Sequence, residues 1–216
     1  AVTIPDNTVT ISGADFILTG TIASGSGGIT LHNSHTAGAA IGVGAGGQAF
    51  DIEDSELDQI TTTGTLTIGG ANTTAIVVDG VTDPANISTF VLSATRDAAT
   101  ITFENTASSF NVLTANADDG ITVNVGLSTD NGALILDGDA DNTADTADRV
   151  AVAGGVTISA VGNLTVDATT GGVRLDGASG TTHTFTSTGD NAVMLGAVTA
   201  VNDGNLVVNS ENTLSV

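Results

Sequence analysis

Residues 149–176 read RVAVAGGVTISAVGNLTVDATTGGVRLD, and the alternation in this stretch decides the fold. Val150-Ala151-Val152, Val156-Thr157-Ile158, Leu164-Thr165-Val166 and Val173-Arg174-Leu175 each set apolar side chains at i and i+2 around a small or polar residue. That is the two-residue period of a half-buried strand. Gly154-Gly155, Gly162-Asn163 and Gly171-Gly172 separate the four segments, and glycine or asparagine accepts the left-handed backbone of a tight turn. A chain that repeats this unit is expected to coil short strands on one another.

The same pattern, more loosely kept, runs outward in both directions. Towards the N-terminus it predicts strands near 9–11, 16–18, 29–31, 40–43, 50–52, 66–68, 76–78, 90–92, 100–103, 111–113, 121–125 and 134–136. Towards the C-terminus it predicts them near 183–185, 193–195, 206–208 and 213–216. Roughly twenty strands of about three to five residues stand at the short end of the usual range. Two architectures absorb so many, a pair of β-sandwiches or a right-handed parallel β-helix, and strand length and turn chemistry favour a β-helix of about seven rungs over residues 1–216. The run Asp54-Ser55-Glu56-Leu57-Asp58-Gln59-Ile60, with acids in its first turn and apolar residues at i and i+3, predicts one helical turn at a corner.

Composition points the same way. The chain has no Trp, Tyr or Cys, six Phe and one Met, yet 40% of it is hydrophobic, so the core must be built from Val, Ile, Leu and Ala. Such residues suit closely stacked strands, and strong helix formers are scarce. With 28 Gly and two Pro, the turns depend on glycine and asparagine. Twenty-four acids face three bases, for a net charge of −21; the bases are Arg96, Arg149 and Arg174. This charge repels phosphate backbones and anionic lipid, which argues against nucleic-acid partners and membrane insertion and makes divalent cations the natural counter-ions. The sequence opens and closes inside strand-like segments, as expected of a mature chain or of a segment of something longer.

Two stretches carry a family resemblance. IGVGAGGQAFDIEDSELDQITTTGTLTIGGANTTAIVV, residues 41–78, combines a glycine-rich IGxG segment, an apolar strand, an ELDxI corner at Glu56-Leu57-Asp58-Gln59-Ile60 and an LxIG strand at Leu66-Thr67-Ile68-Gly69. It resembles a unit of filamentous-haemagglutinin-like giant bacterial surface proteins, and residues 127–177 resemble the repeats of the same proteins. The resemblance covers about 90 residues. It implies an extracellular β-helical adhesin or fibre, commonly exported through the outer membrane by a dedicated partner.

The strongest chemical motif is DGDADNTADTAD, residues 137–148. Asp137, Asp139, Asp141, Asp145 and Asp148 fall at positions 1, 3, 5, 9 and 12 of a calcium loop, and calcium takes six to eight oxygens from a tightly wound backbone. Asn142 stands where that loop has glycine, and Asp148 where it has a bidentate Glu; a solvated acidic turn is the competing reading. Other motifs are weaker. Gly42-Val43-Gly44-Ala45-Gly46-Gly47 spells a dinucleotide fingerprint but leads into a strand and acids, so a glycine-rich turn is expected. His32 and His35 lie three apart, with His183 distant, and no cysteine accompanies them as a metal ligand. Asp118-Asp119, or Asp51, Glu53 and Asp54, offer the paired carboxylates of a glycosidase, but neighbours arise by chance among so many acids. Thr61-Thr62-Thr63 with Thr65 and Thr67, and Thr184 with Thr186 and Thr188, suggest an ice-binding face only if they share one face of the solenoid.

Together these features predict an extracellular or bacterial cell-surface β-solenoid that is structural or adhesive, a rigid unit of a fibre or giant adhesin, without catalysis. Its expected partners are copies of itself end to end, flanking repeats, or a host or cell-surface ligand, with calcium as the one expected cofactor. A carbohydrate-binding or carbohydrate-cleaving β-helix and an ice-binding solenoid are the alternatives.

Overall fold

The structure, a computed structural model, describes residues 1–82, 84–202 and 204–216. Among these residues every strand pairing is parallel. That removes the sandwich, whose strands pair antiparallel. The chain is an all-β parallel solenoid with three faces, compatible with the right-handed winding expected of parallel crossovers.

On the first face the stack runs Val9–Gly13, Ile29–Asn33, the second half of Ile60–Gly69, Ile87–Ala94, Leu113–Ala117, Leu134–Asp137, Leu164–Asp167, Val193–Leu195 and Leu214–Ser215. The second face runs Phe50–Ile52, Ala39–Gly44, Thr73–Asp79, Thr100–Phe103, Ile121–Val123, Val150–Val152, Val173–Leu175 and Val198–Ala200. The third holds Ser108–Phe110, Leu127–Thr129, Thr157–Ala160, Thr182–Ser187 and Asn205–Ser210. The expectation of about seven rungs falls between the nine levels of the longest face and the five of the shortest. At about 4.8 Å per level the first face extends about 38 Å.

Register explains the core. Because each parallel strand sits directly on the last, inward side chains form columns. On the first face Leu31, Ile68, Leu92, Ala115, Leu136, Val166 and Leu195 stack in turn. On the second the column is Ile41, Ile76, Ile101, Ile121, Val150 and Val173. All of these are buried. The third face is less uniform: Phe110 stacks on Thr129, Ala160 and Ser187. Small residues there leave room for the Phe110 ring, which meets Phe90 edge-on at 5.0 Å between centroids. The stretch 149–176 makes one full turn, leaving the second face at Val150 and returning to it at Val173.

Residues 111–112, expected to begin a strand, instead lie between the strands Ser108–Phe110 and Leu113–Ala117, and two further places differ from the sequence expectation. Residues 16–18 form no strand. Their donors are taken locally: Phe16 N–H donates to the Asp15 carboxylate at 2.8 Å, and Leu18 N–H to Glu56 Oε1 at 2.6 Å. The second concerns Phe50–Ile52, which does not climb to the next level. It steps back to the N-terminal side of Ala39–Gly44, where it extends the second face. The helical turn Asp54–Leu57 then forms as expected, closed by a reciprocal Glu53–Glu56 capping box. Glu56 thus serves two purposes, capping the turn and pinning Leu18. Short strands at Ile22–Ala23, Ser108–Phe110, Leu127–Thr129 and Val198–Ala200 have no counterpart in the alternation, because two- and three-residue pieces rich in Ser, Thr and Ala carry little of it.

Candidate functional site

Acids accumulate at one corner, the turn that leaves the first face for the second. Successive strands there are held in register by Ala94 on Ala117, Asn116 on Asp137 and Asp137 on Asp167. The turns that follow them bring Asp97, then Asp118 and Asp119, then residues 138–149, to neighbouring levels. The first two of these turns are short. The third, 138–149, is an insertion that folds back along the corner.

Backbone bonds fix its path. Ala140 N–H donates to Ala117 O at 2.9 Å, and Ala147 N–H to Asp119 Oδ1 at 2.5 Å, so the loop lies on the preceding coil. On its other side Gly138 N–H donates to Asp167 O at 2.9 Å, and Thr170 N–H to Asp139 Oδ2 at 2.7 Å. Held this way, Asp145 meets Asp97 and Asp118: one carboxylate oxygen from each lies within 4.8 Å of the others. Asp118 is buried, while Asp97 and Asp145 are exposed. Asp118 Oδ2 accepts from Ala98 N–H at 2.8 Å.

Asp148 lies beside Asp145. It is 3% exposed, its Oδ2 accepts from the Asp145 N–H, and its Oδ1 is buried with no hydrogen-bond partner. The electrostatics follow from crowding. Burial pushes the Asp118 carboxyl above its ordinary value; the Ala98 N–H opposes this, and Asp141, Asp97 and Asp119 add to it. Asp145 is likewise raised, by loss of hydration first and then by Asp148, Asp118, Asp141 and Asp97. Among the described residues the one ion pair is Arg174 with Asp176 at 2.6 Å, so no acid of this corner is ion-paired with a basic side chain.

The five loop acids therefore part company. Asp141 and Asp145 turn towards the preceding coils, and Asp148 accepts from Asp145 within the loop. Asp137 and Asp139 turn towards the following one, where burial, opposed by the Asp139 N–H and reinforced by Asp167 and Asp139, raises the Asp137 carboxyl. Asp139 is fully buried, and its Oδ1 also lacks a partner. Sequence reasoning missed Asp97. The signal it needed was register: once Ala94 is set on Ala117, the acids of the two following turns come to the same corner.

The remaining motifs are dispersed. His32 lies in a first-face strand rather than a turn, its Nδ1 3.0 Å from Asn33 O; His183 is buried on the third face with Nε2 2.7 Å from Asp176 O. The three histidines do not converge. Gly42 to Gly47 form strand and turn, as expected, and Ala45 N–H donates to Asp79 O at 2.7 Å. Thr67 and Thr186 sit on different faces, so the two threonine clusters share none. A shallow groove on the second face is lined by Thr100, Asp119, Thr122, Arg149, Arg174 and Asp176. No aromatic residue lines it, and Asp97, Asp118 and Asp145 do not open into it.

Near the N-terminal end, Asp54 accepts from both the N–H and the hydroxyl of Thr82, a structural use of that carboxylate. Asp51 is different. Burial, with Glu53 and Asp15 nearby, raises its carboxyl despite the N–H groups of Gly47 and Ile52. A carboxyl raised on folding favours the protonated form, so its charge destabilises the fold above the folded-state pKa and ceases to do so below the unfolded-state value. Asp51→Asn is expected to melt higher than the parent at neutral pH. The gap should close as pH falls to the ordinary carboxylate range, which melting curves across that interval would measure.

No helix among the described residues is long and apolar enough to cross a membrane. The chain matches no protein-family model, no curated protein and no solved structure.

Proposed function

We propose that this chain is a rigid, non-catalytic unit of an extracellular surface fibre or giant adhesin, of the filamentous-haemagglutinin-like kind that residues 41–78 and 127–177 resemble. The observation that carries this reading is the unbroken parallel register from Leu66 to Val193 on the first face. Backbone hydrogen bonds then run along the solenoid axis and repeat at every level, which gives a rod that resists bending and holds its outer side chains at fixed spacing.

Surface chemistry supports the same role. A net charge of −21 keeps such a rod soluble and free of nonspecific anionic partners. Copies of such a unit or flanking repeats would extend the rod end to end, since heterologous contacts of this type propagate rather than close. Against a sugar-cleaving role stands the second-face groove, which lacks the aromatic platforms that sugar-binding clefts use.

Antibodies raised against the purified chain should label intact, unpermeabilised cells that make it, and electron microscopy should show the label on projecting fibres. Labelling that appears only after permeabilisation overturns the surface assignment. Release of new reducing ends from a polysaccharide panel overturns the absence of catalysis.

A further inference from the structure

We infer that Asp97, Asp118 and Asp145, backed by Asp148, form a divalent-cation site that ties three successive coils of the solenoid together at one corner. This assignment goes beyond the surface-fibre reading and does not depend on it.

The geometry comes first. One oxygen from each of three carboxylates lies within 4.8 Å of the other two. Calcium binds oxygens at about 2.3–2.6 Å, so two ligands on opposite sides of one ion stand about 5 Å apart. A single ion between the three therefore reaches all of them. The donors are all carboxylate oxygens, with no sulfur or imidazole, which selects a hard cation over a transition metal.

An independent observation points to a ligand. Asp148 is almost fully buried, and its Oδ1 has no donor. A carboxylate oxygen taken out of water is ordinarily hydrogen-bonded, and leaving one unpaired is costly. Its other oxygen accepts from the Asp145 N–H, and among the charges acting on the Asp145 carboxylate Asp148 is foremost. The carboxylate with the unpaired oxygen thus adjoins Asp145, the closing member of the group. Four carboxylates with no basic side chain among them repel one another, and a divalent ion converts that repulsion into attraction.

The ligand set differs from that of the expected calcium loop. A self-contained loop would draw on Asp137 and Asp139, which face the following coil. The site proposed here draws instead on Asp97 and Asp118 from two earlier coils, with the 138–149 insertion supplying the closing ligand. An ion at this point bridges levels that backbone hydrogen bonds already join, so binding should stabilise the middle of the rod.

The test uses the whole chain and calcium alone. Titration calorimetry of the metal-free protein should give one saturable site, and calcium should raise the melting temperature more than sodium chloride at matched ionic strength. Asp97→Asn and Asp145→Asn, both at exposed positions, should fold and weaken calcium binding by on the order of tenfold or more, because each removes a charged ligand. Asp137→Asn should leave binding unchanged. Two results overturn the inference: a calcium effect that sodium chloride reproduces, which reduces it to charge screening, or loss of binding in Asp137→Asn with Asp97→Asn unaffected, which returns the ion to the loop alone. Absence of saturable binding overturns it equally.

Discussion

Replacing Phe90 with alanine is expected to lower the unfolding free energy by about 3–5 kcal/mol, the cost of deleting a buried ring and leaving a cavity. Phe90 is fully buried, stacks between Leu66 and Leu113, and meets Phe110 edge-on. It therefore joins a second inward column of the first face, Leu66, Phe90 and Leu113, to the start of the third. In a solenoid each coil touches only its neighbours, so a defect in the middle weakens two interfaces at once. Leu206→Ala makes the comparison: that side chain is 38% exposed near the C-terminal end and should cost well under half as much. Denaturant unfolding of the two variants measures both, and equal losses would count against the columnar account of stability.

Gly171→Ala should be nearly as damaging. A methyl group there would stand 1.8 Å from the carbonyl oxygen of Asp148 and 2.6 Å from its carbon. Both are backbone atoms of the preceding coil, so neither can swing aside as the end of a side chain can. Overpacking of this kind costs about 1–3 kcal/mol, and a backbone obstacle places it at the upper end. Gly126→Ala is the control, since its nearest neighbour would be Ala107 Cβ at an ordinary 3.5 Å. Gly171→Ala should melt well below Gly126→Ala. It should also weaken calcium binding, because the obstructed atoms belong to Asp148.

How much of this was legible follows from what periodicity encodes. Val150, Val152, Leu164, Val166, Val173 and Leu175 announced their strands directly, because an inward column needs an apolar residue at every second position. The third face gave little warning. Ser108–Phe110 and Leu127–Thr129 are three residues long and partly hydroxylated, and nothing in such a fragment separates strand from turn. Residues 16–18 failed in the opposite sense: Phe16 and Leu18 alternate properly, yet the Asp15 and Glu56 carboxylates take their backbone donors. The backward step of Phe50–Ile52 was likewise hidden, since a strand looks the same whichever neighbour it joins.

The acidic corner divides along the same line. Sequence identified residues 137–148 as the place of densest carboxylates and calcium as the natural ion, because charge and composition are properties of the chain itself. It could not say which acids meet. That depends on register, which sets residues about 20 to 50 positions apart at neighbouring levels, and register is settled only when the columns pack. The sequence alone determined an all-β, stacked, acidic solenoid, since period, turn residues and net charge need no partner to be read. Only the tertiary structure decided that Asp97, Asp118 and Asp145 converge, with Asp148 beside Asp145, because bringing like charges together is the work of the apolar columns behind them.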